Sequence, residues 1–195
     1  MSEGLIYFKD GEIVADSGDA KVYKLNNELF LEIGPGHNLW ALESELEDYI
    51  WQLNDKPRGE CLEIGLGLGV ASKYILSCPR VRGLTTVEVN EDVINTYNQL
   101  KPTDYSFDYA VHPEKRHTIL HLDGLVYMYQ TKQRFDFIFI DCYDVIDEDT
   151  LPLIADMSSA GKRILNENGI IVGWFDKATP EEYVEYFERL FIESV

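Results

Sequence analysis

Hydrophobic residues in the second half of the chain form short β-rich runs separated by segments with helical spacing. The predicted strands are residues 60–64, 84–89, 117–122, 135–140 and 169–175. After the first of them, a helix is predicted over residues 70–77, with Val70, Tyr74 and Ile75 on one face. Strands that alternate with helices are typical of a parallel sheet covered on both faces. We therefore predict an α/β fold with a doubly wound (Rossmann-like), mostly parallel sheet.

The first 40 residues have a different pattern, in which shorter β-forming runs are separated by turn residues. Runs over residues 5–8 and 12–14 flank Asp10-Gly11, and runs over residues 21–25 and 29–33 flank Asn26-Asn27. Such dipeptides between β-forming runs indicate hairpins. We predict a small N-terminal antiparallel β section, a loop at residues 34–36 and a helix over residues 39–53. The expected division is a β-hairpin section, 1–38, and a core domain, 39–195.

A glycine-rich turn follows the first predicted strand, in the sequence Glu63-Ile64-Gly65-Leu66-Gly67-Leu68-Gly69. Glycines let ligand atoms approach the backbone, and the start of the next helix offers free N–H groups. Glu88 lies 19 residues after Gly69, at the end of the second predicted strand. An acid at this position accepts hydrogen bonds from ribose hydroxyls in doubly wound folds. The two signals together predict a nucleoside ligand.

The spacing of the glycines disfavours dinucleotides and excludes a P-loop. A dinucleotide fingerprint needs Gly or Ala at its sixth position, where this chain has Val70 or Ser72, and no G-x-x-x-x-G-K-[ST] sequence occurs. Instead, the turn resembles the first motif of class I S-adenosylmethionine-dependent methyltransferases. In that family the acid helps to hold the α-amino group of the cofactor, and the glycines lie against its sugar and amino-acid portion. The resemblance therefore assigns cofactor contacts to Glu63, Gly65, Gly67 and Gly69.

The same resemblance extends to the ends of the third and fourth predicted strands. The third ends in Asp123-Gly124, and the family's acid at this place meets the exocyclic amine of adenine, so both residues are expected at the cofactor. The fourth ends in Asp141, which would face the transferable group. Because ligands of open α/β sheets bind outside the carboxyl ends of the strands, we expect one crevice. The carboxylates expected to converge there are Glu63, Glu88, Asp123 and Asp141.

A β section followed by a helix and a nucleoside-binding core resembles the spermidine synthases and their relatives. In that family the first acid after the fourth strand binds the attacking amine and helps to remove its proton. The resemblance makes Asp141 the candidate to orient or deprotonate the nucleophile, with Asp144 or Tyr143 assisting. The turn departs from the family, since aminopropyltransferases carry an aspartate between their glycines where this chain has Leu66 and Leu68.

These features predict a methyltransferase that uses S-adenosylmethionine on a small acceptor. The first alternative is a spermidine synthase-like aminopropyltransferase that uses decarboxylated S-adenosylmethionine. The second is a catalytically idle member of the fold that binds a nucleoside or a protein partner. The carboxylates at the strand ends favour a transferase over the idle form.

Composition narrows the choice of substrates and partners. The formal net charge of -18 over 195 residues repels phosphate backbones and anionic membranes. We therefore expect no duplex nucleic acid or membrane as partner. A cationic or small neutral substrate, or a basic protein partner, fits the charge. No apolar run approaches the roughly 20 residues of a membrane helix, and three widely spaced cysteines suggest neither disulfides nor a metal site. A cytoplasmic location is expected.

The C-terminal region predicts a sheet that is shorter than usual. A helix over residues 150–165, the strand over residues 169–175 and a helix over residues 180–191 leave only four residues, whereas the usual methyltransferase sheet adds two more strands. We expect about five parallel strands. A homodimer formed through the N-terminal β section or through the shortened sheet edge is compatible with this arrangement.

Overall fold

A computed structural model describes residues 8–36, 38–108, 114–143, 146–175 and 179–192 of the chain. It contains two sheets, one antiparallel with four strands and one parallel with five. The antiparallel sheet comprises β1 (Glu12–Ser17), β2 (Ala20–Leu25), β3 (Glu28–Ile33) and β4 (Asn38–Leu42), joined in this order. The predicted N-terminal β section is therefore confirmed.

The hairpins of this first sheet agree only in part with the sequence prediction. The predicted turn at Asn26-Asn27 is confirmed, because both residues have positive φ angles, 52° and 68°, and they connect β2 to β3. The predicted strand over residues 5–8 lies almost entirely outside the described residues. Phe8–Asp10 form a 3-10 turn, and the hairpin before Asn26 instead joins β1 to β2 near Gly18.

The predicted helix over residues 39–53 is wrong in its first half. Residues 38–42 form β4, which pairs with β3 through Leu31 and Ala41, and both of these side chains are buried. A 3-10 turn over Glu43–Glu45 follows, and the helix α1 covers only Leu46–Leu53. A short apolar run such as this one fits the period of a helix and that of a strand equally well. The backbone of β3 offers hydrogen-bond partners along its length, and this decides in favour of a strand.

The second sheet is the doubly wound parallel sheet that the pattern predicts. Its strands are β5 (Gly59–Ile64), β6 (Val81–Glu88), β7 (Arg116–His121), β8 (Phe135–Ile140) and β9 (Leu165–Gly173), in the order β7-β6-β5-β8-β9. All four pairings are parallel. The connecting helices are α2 (Val70–Ser77), α3 (Glu91–Gln99), α4 (Gly124–Gln130) and α5 (Leu151–Arg163), and α6 (Glu181–Ile192) follows β9.

The strand order places a binding crevice at the carboxyl end of β5. The chain leaves β5 towards β6 on one side and later enters β8 on the other side, so the connections diverge at this point. Such a switch point is where doubly wound sheets bind ligands. The neighbouring strand β8 is the most buried part of the core, with Phe135, Phe137 and Phe139 fully inaccessible.

Two side chains of α3 attach the antiparallel sheet to the core. The carboxylate of Asp92 accepts hydrogen bonds from the Ser17 hydroxyl at 3.0 Å and from the Asp19 N–H at 3.1 Å. Gln99 exchanges two hydrogen bonds with the backbone of Asp16, each of 3.1 Å. The antiparallel sheet is thereby held beside the crevice.

No helix in the described part of the chain is both long enough and apolar enough to cross a membrane.

Candidate active site

A cavity of about 400 Å³ opens at the carboxyl ends of β5, β6 and β8. Its floor is the glycine turn after β5, and one wall is formed by residues 39–42 of β4. The opposite wall carries Leu153 and Met157 of α5 and Trp174, which follows β9. We call this cavity the crevice.

The three glycines of the turn have positive φ angles, but their surroundings differ. A Cβ atom at Gly65 would lie 1.8 Å from the backbone oxygen of Asp141, and one at Gly69 would lie 2.2 Å from the ring of Tyr97. At Gly67 the nearest atom is the Ala41 Cβ, at 3.5 Å. Gly65 and Gly69 are therefore required by protein packing, whereas Gly67 has an open side in the crevice.

Several N–H groups of the turn are already bound within the protein. The Gly65 N–H donates to the Val87 carbonyl at 2.9 Å, and the Gly69 N–H donates to the Leu66 carbonyl at 2.8 Å. The Leu66 N–H donates to the Glu88 carboxylate at 2.9 Å. These three donors are occupied and do not offer a site for a ligand carboxylate.

Glu88 lies at the end of β6 and lines the crevice. One oxygen accepts the Leu66 N–H and the other accepts the Asn90 N–H at 2.8 Å. Each carboxylate oxygen has two lone pairs, so the group retains capacity to accept from ligand hydroxyls. Its fixed position at the strand end suits the ribose contact expected from the sequence.

Asp123 and Gly124 also line the crevice, at the start of α4. Asp123 is the exposed N-cap of this helix, and its carboxylate accepts the Val126 N–H at 2.8 Å. Gly124 packs against β5 so closely that a Cβ atom would lie 2.4 Å from a methyl carbon of Ile64. Its lack of a side chain lets the helix start close to the crevice floor.

The placement of Glu63 corrects the sequence interpretation. Its carboxylate accepts hydrogen bonds from the Ser72 hydroxyl and from the Thr86 hydroxyl, the latter at 2.6 Å, and its side chain is 1% exposed. Burial raises the pKa of Glu63 to about 8. Successive strand residues point to opposite faces, and it is Ile64 that lines the crevice. Glu63 therefore supports the helix behind the turn and does not reach the crevice.

Asp141 lies at the end of β8 and is joined to α1 through a tyrosine. The Tyr49 hydroxyl is 2.9 Å from one oxygen of Asp141 and 3.2 Å from an oxygen of Glu45. Burial raises the pKa of Asp141 to about 7, although the hydrogen bond from Tyr49 opposes this rise. Burial and the nearby Asp141 raise the pKa of Glu45 to about 8. A carboxyl with a pKa near neutrality is suited to act as a general base.

Glu45 and Tyr49 also line the crevice, although no role was predicted for them from the sequence. The signal that could have identified them is their spacing of four residues, which places them on the same side of a helix. Spacing alone did not assign them to the site, because their partner Asp141 lies 92 residues away from Tyr49.

The remaining residues predicted at the end of β8 have other surroundings. Tyr143 lines the crevice, but its hydroxyl donates to the Trp174 carbonyl at 2.9 Å, and burial raises its pKa well above the usual range. This corrects the expectation that Tyr143 assists proton transfer. Asp144 lies outside the described residues. The neighbouring Cys142 stays a neutral thiol, because burial raises its pKa to about 12.

Four acidic side chains line the crevice. They are Glu45, Glu88, Asp123 and Asp141. Among the described residues that line the cavity there is no lysine, arginine or histidine. Side chains of opposite charge to a ligand favour its binding, so the crevice is complementary to cationic groups.

Comparison with solved structures assigns the architecture. The spermidine synthase of Thermotoga maritima superposes with a TM-score of 0.69 and 20% identity, covering 95% of this chain and 64% of that one. The chain has the spermidine synthase fold. A putative S-adenosylmethionine-dependent methyltransferase of Streptococcus mutans superposes with a TM-score of 0.56 and 15% identity, covering 90% of this chain and 46% of that one. The predicted resemblance to both groups is confirmed at the level of the fold.

Sequence comparison finds similarity over a shorter region. The polyamine aminopropyltransferase of Salmonella arizonae is 31% identical over 111 residues, which are 57% of this chain and 38% of that protein. The chain thus matches well under half of the length of this curated relative. No family model matches the chain.

Proposed function

We propose that this protein transfers an aminopropyl group from decarboxylated S-adenosylmethionine to an amine acceptor. The observation that carries the proposal is the acidity of the crevice, which has four acidic side chains and no basic side chain among its described lining residues. The donor carries a sulfonium and an ammonium, and the acceptor is a further cation. Both therefore gain favourable electrostatic interactions in this cavity.

The proposal reverses the preference for a methyl donor that the glycine turn suggested. S-adenosylmethionine retains a carboxylate, which would lie among acidic side chains without a basic partner. The N–H groups of Gly65, Leu66 and Gly69 already donate to acceptors within the protein, so these three donors cannot pair with that carboxylate. Removal of the carboxylate from the donor removes this repulsion. The similarity to a polyamine aminopropyltransferase supports the same choice.

The reaction needs a positioned amine and a group that accepts its proton. The nitrogen lone pair attacks the aminopropyl carbon bonded to sulfur, a C–N bond forms, and the C–S electron pair returns to sulfur as 5′-methylthioadenosine leaves. Asp141 accepts the proton that the amine must lose, and its pKa of about 7 keeps a substantial ionised fraction at neutral pH. In the proposed complex, Glu88 and Gly67, which line the crevice, hold the nucleoside portion.

Methyl transfer is the second candidate, and one sequence feature favours it. Leu66 and Leu68 occupy the positions between the glycines where aminopropyltransferases carry an aspartate. In this chain an ammonium of the donor would depend on acids of other elements that line the crevice. The two candidates therefore predict different donors for the same crevice.

The test is to supply each donor with a panel of linear diamines and to identify both products by mass spectrometry. We expect 5′-methylthioadenosine and an aminopropylated amine from decarboxylated S-adenosylmethionine, and no methylated amine from S-adenosylmethionine. Asp141→Asn should lower turnover by about 10²-fold or more and retain 5′-methylthioadenosine binding. Asp156→Asn is the matched control, because Asp156 is exposed on α5. Methylated product together with no 5′-methylthioadenosine would refute the proposal.

A further inference from the structure

Tyr49 places a single hydroxyl between two acidic side chains of the crevice. Its oxygen is 2.9 Å from Asp141 Oδ2 and 3.2 Å from Glu45 Oε2. One hydroxyl carries one proton, so Tyr49 donates to only one carboxylate at a time. The second contact is a hydrogen bond only if the other acid is protonated and donates to the Tyr49 oxygen. The three groups therefore need one proton beyond that of the hydroxyl.

The surroundings of the two acids indicate where this additional proton resides. Glu45 is partly buried and faces Asp141 and Asp48, which disfavour its ionised form, whereas hydrogen bonds from the Leu42 backbone and the Tyr49 hydroxyl favour it. Asp141 faces Glu88 of β6, but the Tyr49 hydroxyl stabilises its ionised form. The Tyr49 hydroxyl is closer to Asp141, at 2.9 Å, than to Glu45, at 3.2 Å, which favours donation to Asp141. This geometry places the additional proton on Glu45 and leaves Asp141 as the ionised acid.

We propose that Glu45 is a positioning residue that holds a proton, donates it to the Tyr49 oxygen and so directs the Tyr49 hydroxyl towards Asp141. In this arrangement Asp141 is ionised and oriented to accept the proton of the attacking amine. The role in the reaction rests on the proposed function, whereas the shared proton does not. When Asp141 has taken up the amine proton, loss of the Glu45 proton to solvent permits the reverse arrangement, in which Asp141 donates to Tyr49 and Tyr49 donates to Glu45.

The shared proton is tested on the ligand-free protein by carboxyl ¹³C NMR titration. In the wild type we expect the Asp141 signal to show two inflections, because ionisation of either coupled acid changes it. Glu45→Gln keeps an N–H donor for the Tyr49 oxygen but cannot ionise, so one inflection should remain. Tyr49→Phe removes the hydrogen bond to Asp141 and should raise its pKa by about one unit. Glu47→Gln, an exposed change on the same helix, should alter neither.

Two results would overturn the inference. One is an Asp141 titration that keeps both inflections in Glu45→Gln, and the other is an Asp141 pKa that does not rise in Tyr49→Phe. In transfer assays Tyr49→Phe should move the acid limb of the kcat/KM profile to higher pH by about one unit. Glu47→Gln should leave that limb in place. If the titrations agree and neither donor reacts, the proposed function fails and the shared proton stands.

Discussion

At the scale of single residues, the acids at the ends of neighbouring strands differ in role because their oxygens have different partners. Glu63 accepts from two hydroxyls behind the glycine turn, Glu88 accepts from two backbone N–H groups, and Asp141 accepts from Tyr49. Only the last two face the crevice. Residue type and position along a strand are therefore insufficient to assign a role, and the hydrogen-bond partners decide it.

The buried Glu63 predicts a pH dependence of stability. The pKa of its carboxyl group is raised from 4.5 to about 8 in the folded protein, so its contribution to stability is fully present below pH 4.5. That contribution is lost as the pH rises from about 4.5 through 8, because the unfolded chain then ionises freely. The side chain of Glu63→Gln cannot ionise, so the variant should not show this loss. Its free energy of unfolding should therefore rise relative to that of the wild type as pH increases over this range.

Urea denaturation at several pH values measures the effect. The difference between variant and wild type should change by up to about 1.4 kcal/mol per pH unit within the window and level off above pH 8. Asp156→Gln, on the exposed side of α5, serves as the control and should show no such trend. A constant difference from pH 5 to pH 8 would contradict the raised pKa of Glu63.

The sequence identifies these acids but not the directions of their side chains. Alternation along β5 shows that Glu63 and Ile64 point to opposite faces. Which face meets the crevice depends on the helices that cover the sheet, and this is not encoded in the strand itself. The pair formed by Tyr49 and Asp141 is also beyond local pattern, because it joins a helix before β5 to the end of β8.

At the scale of elements, the best-predicted segments are those with strong turn signals beside them. The bounds of α2 and β8 agree with the sequence prediction, since α2 follows the glycine turn and β8 is a continuous apolar run. The error over residues 39–42 arose where the partner strand β3 determines the structure. The predicted fifth strand began too late, because Leu165 already pairs with Phe135 of β8 and the register then shifts before Ile170 pairs with Phe137.

The contact between β9 and α6 predicts a second stability effect. A Cβ atom at Gly173 would lie 2.3 Å from the ring of Phe187 and 2.7 Å from that of Phe191, both buried. Gly173→Ala should therefore push α6 away from the sheet and cost about 1–3 kcal/mol of unfolding free energy. Hydrogen exchange should accelerate over residues 181–192 more than in the strands.

Gly36→Ala is the matched control for this change. Gly36 is exposed, and its added Cβ would have the Asn38 side chain as nearest neighbour, at 3.4 Å. We expect little change in exchange over α6 for this variant. If both substitutions cost the same free energy, the close packing of Gly173 against the two rings does not contribute to stability.

At the scale of the whole molecule, the net charge of -18 and the acidic crevice both attract cationic ligands. Long-range attraction of a cationic acceptor falls with salt, because the Debye length decreases from about 30 Å at 0.01 M to about 8 Å at 0.15 M ionic strength. We expect the KM of a diamine to rise by about tenfold between these conditions.

An uncharged nucleoside provides the comparison. The Kd of 5′-methylthioadenosine, measured by calorimetry at the same two ionic strengths, should stay nearly constant because it carries no net charge to be screened. Equal salt dependence of the two ligands would show that the molecular charge does not assist acceptor binding.

The position of β4 has a consequence for the relation between the two sheets. Residues 39–42 belong to the antiparallel sheet by hydrogen bonding, yet they complete the cavity whose floor belongs to the parallel sheet. A nucleoside seated there touches both sheets and links their stabilities. Cutting the chain ahead of β5 would therefore remove the wall formed by residues 39–42 together with Glu45 and Tyr49, and saturating ligand should delay the melting of both sheets together.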